Sequence, residues 1–234
     1  MRIVSALTLA SALALALSAA QVYAGQDGAI DLVPYGIDPI TGNRTTPDFG
    51  ACQATVASLY GGLVSRLSFG VYARLAGATL AGMTLAEFYL QGLETNATGQ
   101  LPAGWTKNVT FPSPAVSVGS ISDPEPADGE LVRRCDVVWP GPECKTDALV
   151  LLALVDLTAF NFAPNFADNH YVSVVAGVPS LPPEMACPFL ALCDFPYFTQ
   201  VCVTGGQLII NPSGPACTVA VEQATWSRVK GLYR

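Results

Sequence analysis

Residues 65–75, SRLSFGVYARL, constrain the fold more than any other stretch of the chain. Leu67, Phe69, Val71, Ala73 and Leu75 alternate with Arg66, Ser68, Gly70, Tyr72 and Arg74. A period of two puts the first set on one face of a β-strand, toward a core, and the second set on the other. Residues 84–93 repeat the pattern: Ala86, Phe88 and Leu90 share one face, Glu87, Tyr89 and Gln91 the other. Residues 148–155 form a continuous apolar run, the signature of a central strand covered on both sides. Further β-rich runs occur at 116–121, 131–139, 171–178, 198–204, 207–211 and 217–222. The Gly205-Gly206 pair between two of them predicts a hairpin.

Short strands separated by turns make the fold all-β, a β-sandwich or jelly roll of roughly 8–10 strands. The 21 Gly and 18 Pro supply the turns. Helical spacing is confined to two places. Cys52, Val56, Leu59 and Leu63 step by three or four residues, which predicts a short helix over 51–63. A C-terminal helix is predicted from Thr225, with Trp226, Val229 and Leu232 on one side.

Residues 1–24 read as an export signal, with Arg2 ahead of an Ala/Leu run and small residues at Val22-Tyr23-Ala24. The alternative is a transmembrane anchor. The run is only moderately hydrophobic, it ends in polar Gly25-Gln26-Asp27-Gly28, and no basic cluster follows it. Cleavage after Ala24 leaves 210 residues, a single β-sandwich domain over 25–234. No later run reaches the roughly 20 apolar residues of a membrane-spanning helix. The expected location is therefore secreted, periplasmic or at the cell surface. Loss of Arg2 moves the net charge from −7 to −8. That acidic balance excludes nucleic acid and anionic membranes as partners, since both select a basic footprint.

Export places seven cysteines in an oxidising compartment, where disulfides are expected. Local spacing suggests Cys135–Cys144, Cys187–Cys193 and Cys202–Cys217, with Cys52 left over. Spacing alone leaves many connectivities open. A zinc site is disfavoured, because there is no CxxC and a single histidine.

The catalytic inventory is small. His170 is the sole histidine, and no GxSxG elbow supplies an activated serine. Paired carboxylates, as in a glycoside hydrolase, are the remaining enzymatic option, with Glu87 and Asp136 on the polar faces of their strands. Asp123, Glu125, Asp128 and Glu130 gather four acids on a Pro/Gly-bent loop, a candidate calcium site without EF-hand spacing. No other cofactor is indicated. Asn43, Asn96 and Asn108 open Asn-x-Thr sequons. Tyr72, Tyr89 and Trp105 are the candidate ligand-facing aromatics, able to stack on a sugar or anchor an interface.

The tail CPFLALCDFPYFTQVCVTGGQLIINPSGPACTVAVEQATW (187–226), with residues 86–93 and Trp105, resembles a group of uncharacterised exported bacterial proteins with a Cys-rich C-terminal half. The resemblance covers most of the mature chain and implies no activity, so no functional residue carries over. The strand order, with GMTLAEFYLQGL, an acidic loop and then DALVLLALVDL, is similar to cohesin-like and carbohydrate-binding jelly rolls. That similarity implies a fold only. The reading that follows is an exported, non-enzymatic binding or cell-surface interaction module for a glycan or a protein. A secreted hydrolase and a structural envelope subunit are the alternatives.

Overall fold

A computed structural model describes residues 27–95, 101–123, 134–140, 143–160, 165–177 and 186–213. The expected export signal, the 217–222 strand, Cys217 and the C-terminal helix lie outside the described residues. The strands in chain order are β1 (Gly28–Ile37), β2 (Arg44–Pro47), β3 (Gln53–Ala54), β4 (Ala57–Leu59), β5 (Val64–Leu75), β6 (Met83–Gln91), β7 (Trp105–Thr110), β8 (Val116–Gly119), β9 (Cys135–Val138), β10 (Leu149–Phe160), β11 (His170–Val175), β12 (Phe189–Leu192), β13 (Gln200–Cys202), β14 (Thr204–Gly205) and β15 (Gln207–Ile210). They form two sheets, as expected for a β-sandwich. The strands outnumber the expected 8–10 because several are only two to four residues long.

The first sheet runs β14-β1-β5-β10-β7, with β2 on β1 and β4 on β5. The second runs β13-β12-β6-β11-β15-β3, with β9 on β6 and β8 on β9. The period-two sets of β5 and β6 face each other across the core. Leu67, Phe69, Val71, Ala73 and Leu75 from one sheet join Ala86, Phe88 and Leu90 from the other in a single buried cluster. Strand β10, the continuous apolar run, is central as expected, paired with β5 on one side and β7 on the other.

The outer face of the first sheet is covered too. Asp156 on β10 is buried there between two guanidiniums, Arg44 at 3.0 Å and Arg66 at 3.1 Å, and it accepts a 2.5 Å hydrogen bond from Ser68. A buried carboxylate this well paired recovers its desolvation cost.

Two expected elements are replaced. Residues 51–63 form β3, β4 and a 3-10 turn at Tyr60–Gly62 instead of a helix. Leu63 stays exposed, so the helical stripe has no core to face. Sheet edges supply the backbone partners: β4 pairs with the start of β5, and β3 pairs parallel with β15. Gly205-Gly206 makes no hairpin either. It carries the chain between the sheets, with β14 pairing parallel to β1 and β15 pairing to β11. Gly206 N–H donates to Ile30 O, and Val174 N–H donates to Gly206 O. A Cβ on Gly205 would overlap Val174 O, and one on Gly206 would lie 3.0 Å from Ile30 O. Only glycine lets three backbones approach this closely.

The cysteine pairing also differs from the local guess. Cys144 bonds Cys193 and Cys187 bonds Cys202, with Cα separations of 5.8 and 5.7 Å. Cys52, expected to be left over, is disulfide-bonded. Cys135 is instead a buried free thiol. Its side chain points into the core between the sheets, which removes it from any neighbour in sequence. Burial, with the Asp136 charge beside it, pushes that thiol up to about 12. Non-reducing peptide mapping is expected to recover Cys144–Cys193 and Cys187–Cys202. Cys135 is expected to resist alkylation until the protein is unfolded. Replacing Cys187 and Cys202 together by Ser opens a 15-residue closure and is expected to lower stability by about 3 kcal/mol in chemical denaturation.

Candidate functional site

Burying Ala86 and Phe88 of β6 and Cys135 and Val137 of β9 turns Glu87 and Asp136 to the outer face of the second sheet. The antiparallel register then sets these two acids directly opposite each other. Paired acids at opposed positions repel unless something intervenes. Arg134, just before β9, places Nη2 3.3 Å from Asp136 Oδ2. On its other side Glu87 is in register with Phe189 of β12. Behind it lies Gly177, where a Cβ would come within 3.1 Å of Glu87 Oε1 and closer still to Arg134.

Glu87 is 4% exposed, and its Oε1 has no donor. Asp136 Oδ1 has none either. Burial, reinforced by the Asp136 charge and opposed by Arg134, pushes the Glu87 carboxyl up to about 7. Burial also raises Asp136, against the pull of Arg134 and of its hydrogen bond with Glu87. A proton on one of the carboxylates would bring the trio of two acids and one guanidinium to neutrality.

These residues, with Thr84 and Gln200, form the polar part of a cavity of about 500 Å³. Its walls are otherwise largely apolar: Leu85, Val138, Trp139, Phe189, Ala191 and Phe198. Carboxylates in hydrogen-bonding contact do not have the spacing of roughly 5 Å or more that glycoside hydrolysis needs to fit a sugar between them. The arrangement suits holding a cation or a proton.

Phe198, expected at the start of the 198–204 β-rich run, belongs instead to the connection between β12 and β13, since β13 begins only at Gln200. This loop is braced at each end: Cys193 is tied to Cys144, and Cys202, at the end of β13, to Cys187. Within it, Asp194 accepts hydrogen bonds from the Thr199 backbone N–H at 2.7 Å and from the Thr199 hydroxyl. Tyr197 N–H donates to Asp194 O, and Leu192 N–H donates to Thr199 O. So held, Phe198 takes a left-handed conformation, φ 46°, which costs an aromatic residue about 1 kcal/mol or more. Phe195 and Tyr197 are 80% and 83% exposed, and Phe198 is 45% exposed. Phe195 and Phe198 meet edge to face at 5.6 Å. The signal available in the sequence was Phe195-Pro196-Tyr197-Phe198 lying between two cysteines, three large aromatics with no alternating pattern to bury them.

The aromatics expected to face a ligand are buried instead: Tyr72 at 9% exposed, Tyr89 at 2% and Trp105 at 6%. Loops cover the outer faces on which Tyr72 and Tyr89 lie. The Tyr72 hydroxyl meets that of Tyr35 at 2.5 Å, and its ring meets Phe49. Tyr89 donates to Ser122 O at 2.6 Å. Trp105 packs on Phe166 at 4.7 Å. Of the acidic loop, Glu125, Asp128 and Glu130 lie outside the described residues. Asp123 is ion-paired to Lys107 at 2.5 Å and accepts from Thr95 N–H and Oγ1. Burial pushes its carboxyl up, but Lys107 and Thr95 outweigh that and hold it low. Among the described residues no three His, Cys, Asp or Glu side chains gather as metal ligands. His170 donates from Nε2 to Gly92 O at 2.7 Å and packs at a tilt on Phe166, and it does not line the cavity of the acid pair. Asn43 and Asn108 are exposed.

No family model matches the chain, and no curated protein does. Solved structures similar to it are cohesin domains. One is the seventh ScaB type I cohesin from Pseudobacteroides cellulosolvens, with TM-score 0.36 and 7% identity over 70% of this chain and 94% of that one. Another is the sixth cohesin of scaffoldin B from Acetivibrio cellulolyticus, solved with a Cel5 dockerin mutant. It has TM-score 0.33 and 12% identity over 80% and 99% of the two chains. The β-sandwich described above rests on this chain's own two sheets.

A raised carboxyl in the folded state means that the native protein holds a proton the unfolded chain has lost. The stability this gives is complete below the unfolded value of 4.5 and is lost as pH rises through about 7. Stability measured by denaturant from pH 5 to pH 8 is therefore expected to fall by roughly 1–3 kcal/mol more in the wild type than in Glu87→Gln. Gly177→Ala is expected to destabilise by about 1–3 kcal/mol through overlap with Arg134 and Glu87.

Proposed function

We propose that this protein is an exported, non-enzymatic binding domain. It holds a protein partner against the outer face of the second sheet, around the Glu87–Asp136 cavity and the aromatic loop. The observation that carries this reading is Phe198. A braced loop holds it in a strained conformation at the cavity wall, with Phe195 and Tyr197 projecting beside it. Strain of this kind persists where surrounding structure imposes it, and such positions cluster at ligand clamps. Exposed aromatics on a rigid loop beside an apolar cavity have the anatomy of an interface hot spot. A protein fits better than a glycan. The Phe195 and Phe198 rings meet nearly at right angles, so they offer no flat platform for a sugar. The Cys144–Cys193 and Cys187–Cys202 disulfides, with Cys52 also disulfide-bonded, fit an oxidising compartment and so support export. Contact between the acids disfavours the glycoside hydrolase alternative.

Selection of a displayed peptide library on the purified domain tests the reading. Enriched peptides are expected to lose tenfold or more in affinity, about 1.4 kcal/mol, on Phe198→Ala or Tyr197→Ala. They are expected to bind unchanged to Ile40→Ala, which removes an exposed side chain on the β1–β2 turn. Glycan-array binding with no peptide enriched would replace the protein partner by a sugar. Turnover on a glycoside or ester panel that vanishes in Glu87→Gln would make the protein an enzyme and overturn the reading.

A further inference from the structure

The acid pair has a feature that partner binding by aromatic anchors does not explain. Two carboxylate oxygens, Glu87 Oε1 and Asp136 Oδ1, lack donors although Glu87 is almost fully buried and lines the cavity. The charged groups facing Glu87 are Asp136 and Arg134, both from β9 and its approach. Phe189 from β12 and the Gly177 backbone beyond β11 add none. The nearby Lys145 is paired with Glu143 and lies over the Trp139 ring. With both acids ionised, the trio carries one net negative charge in an apolar-walled cavity. It therefore has room for one monocation.

We propose that the group held there is the ammonium of a lysine side chain on the protein partner, which supplies the positive charge that the trio lacks and displaces a proton from the acid pair. This rests on the binding face proposed above. The exchange is balanced: the lysine ammonium enters with its three protons, Glu87 becomes a carboxylate, and one proton leaves to solvent. The orphan oxygens belong to two different carboxylates and have almost no exposed surface in the free protein, so both carboxylates must turn toward the cavity to meet one rotatable three-donor ammonium. A guanidinium fork matches the two oxygens of one carboxylate, and Arg134 already occupies Asp136 Oδ2. Leu85, Val138, Phe189 and Ala191 provide apolar surface for a four-carbon stem. The ring of Phe198 can face the charge.

The test uses the whole protein and two probes, Nα-acetyl-lysine methylamide and its norleucine counterpart, followed by the carboxyl carbon signals of Glu87 and Asp136 in NMR. The lysine probe is expected to shift the Glu87 signal toward the ionised form. It should bind about tenfold more weakly at pH 6 than at pH 8, and about tenfold more weakly again at pH 5, as the proton competes. Norleucine is expected to bind at least tenfold more weakly than lysine at pH 8. Glu87→Gln keeps the side chain's shape and is expected to abolish both the preference and the pH dependence. Asp136→Asn, read the same way, serves if that variant does not fold. Equal binding of the two probes, or lysine binding unchanged from pH 5 to pH 8, overturns the inference. If selected peptides still need Phe198 but tolerate norleucine for every lysine, the lysine site falls and the binding face stands. If they need neither, both fall.

Discussion

Strict alternation of side chains across a β-strand is the constraint on which the rest of the structure depends. Phe69, Val71 and Ala73 of β5 and Ala86, Phe88 and Leu90 of β6 fill the space between the sheets. Once they do, every residue between them is committed to an outer face. Cys135 and Val137 do the same for β9. Glu87 and Asp136 share a surface because their neighbours share the core, and they meet because β6 and β9 pair in one register. A slip of β9 by one residue would turn Asp136 into the core and Cys135 out of it.

The two outer faces treat their buried charge differently, and the contrast marks the site. On the first sheet, Asp156 is matched by Arg44, Arg66 and Ser68, two cations and a hydroxyl on one carboxylate. That cluster meets both oxygens of its carboxylate, leaving only Arg66 Nε without an acceptor, and ties β2, β5 and β10 together. On the second sheet, two carboxylates share one guanidinium, and an oxygen of each is left without a donor. Buried polar groups in folded proteins are nearly always paired, so this deficit of one positive charge stands out. The same face carries the braced loop with Phe195, Tyr197 and Phe198, where covalent ties and the Asp194–Thr199 bonds hold a strained backbone.

The strands of the core were legible because burial writes a period of two into the sequence. Residues 65–75 and 84–93 show it, and so does the unbroken apolar run of β10. Both acids of the site could be named from the same pattern, since an acid at the polar phase of a strand must face outward. What failed were inferences from short-range spacing. Cysteines close in sequence did not pair, because Cys144 and Cys193 meet through the β12–β6 edge, with Cys193 N–H bonded to Gly82 O. The helical steps of 51–63 lost to backbone partners at sheet edges.

The sequence by itself determined that this chain builds two apolar sheet faces, and which side of each strand carries its charges. Those features are periodic, and periodicity survives without knowledge of neighbours. Only the tertiary structure decided which outer faces are covered, burying Tyr72 and Tyr89 there and Trp105 in the core while leaving Phe195, Tyr197 and Phe198 in solvent. It alone brought Glu87 against Asp136 and left their oxygens one donor short. Coverage and register arise from contacts between residues tens of positions apart, and the pattern within one strand carries no record of them.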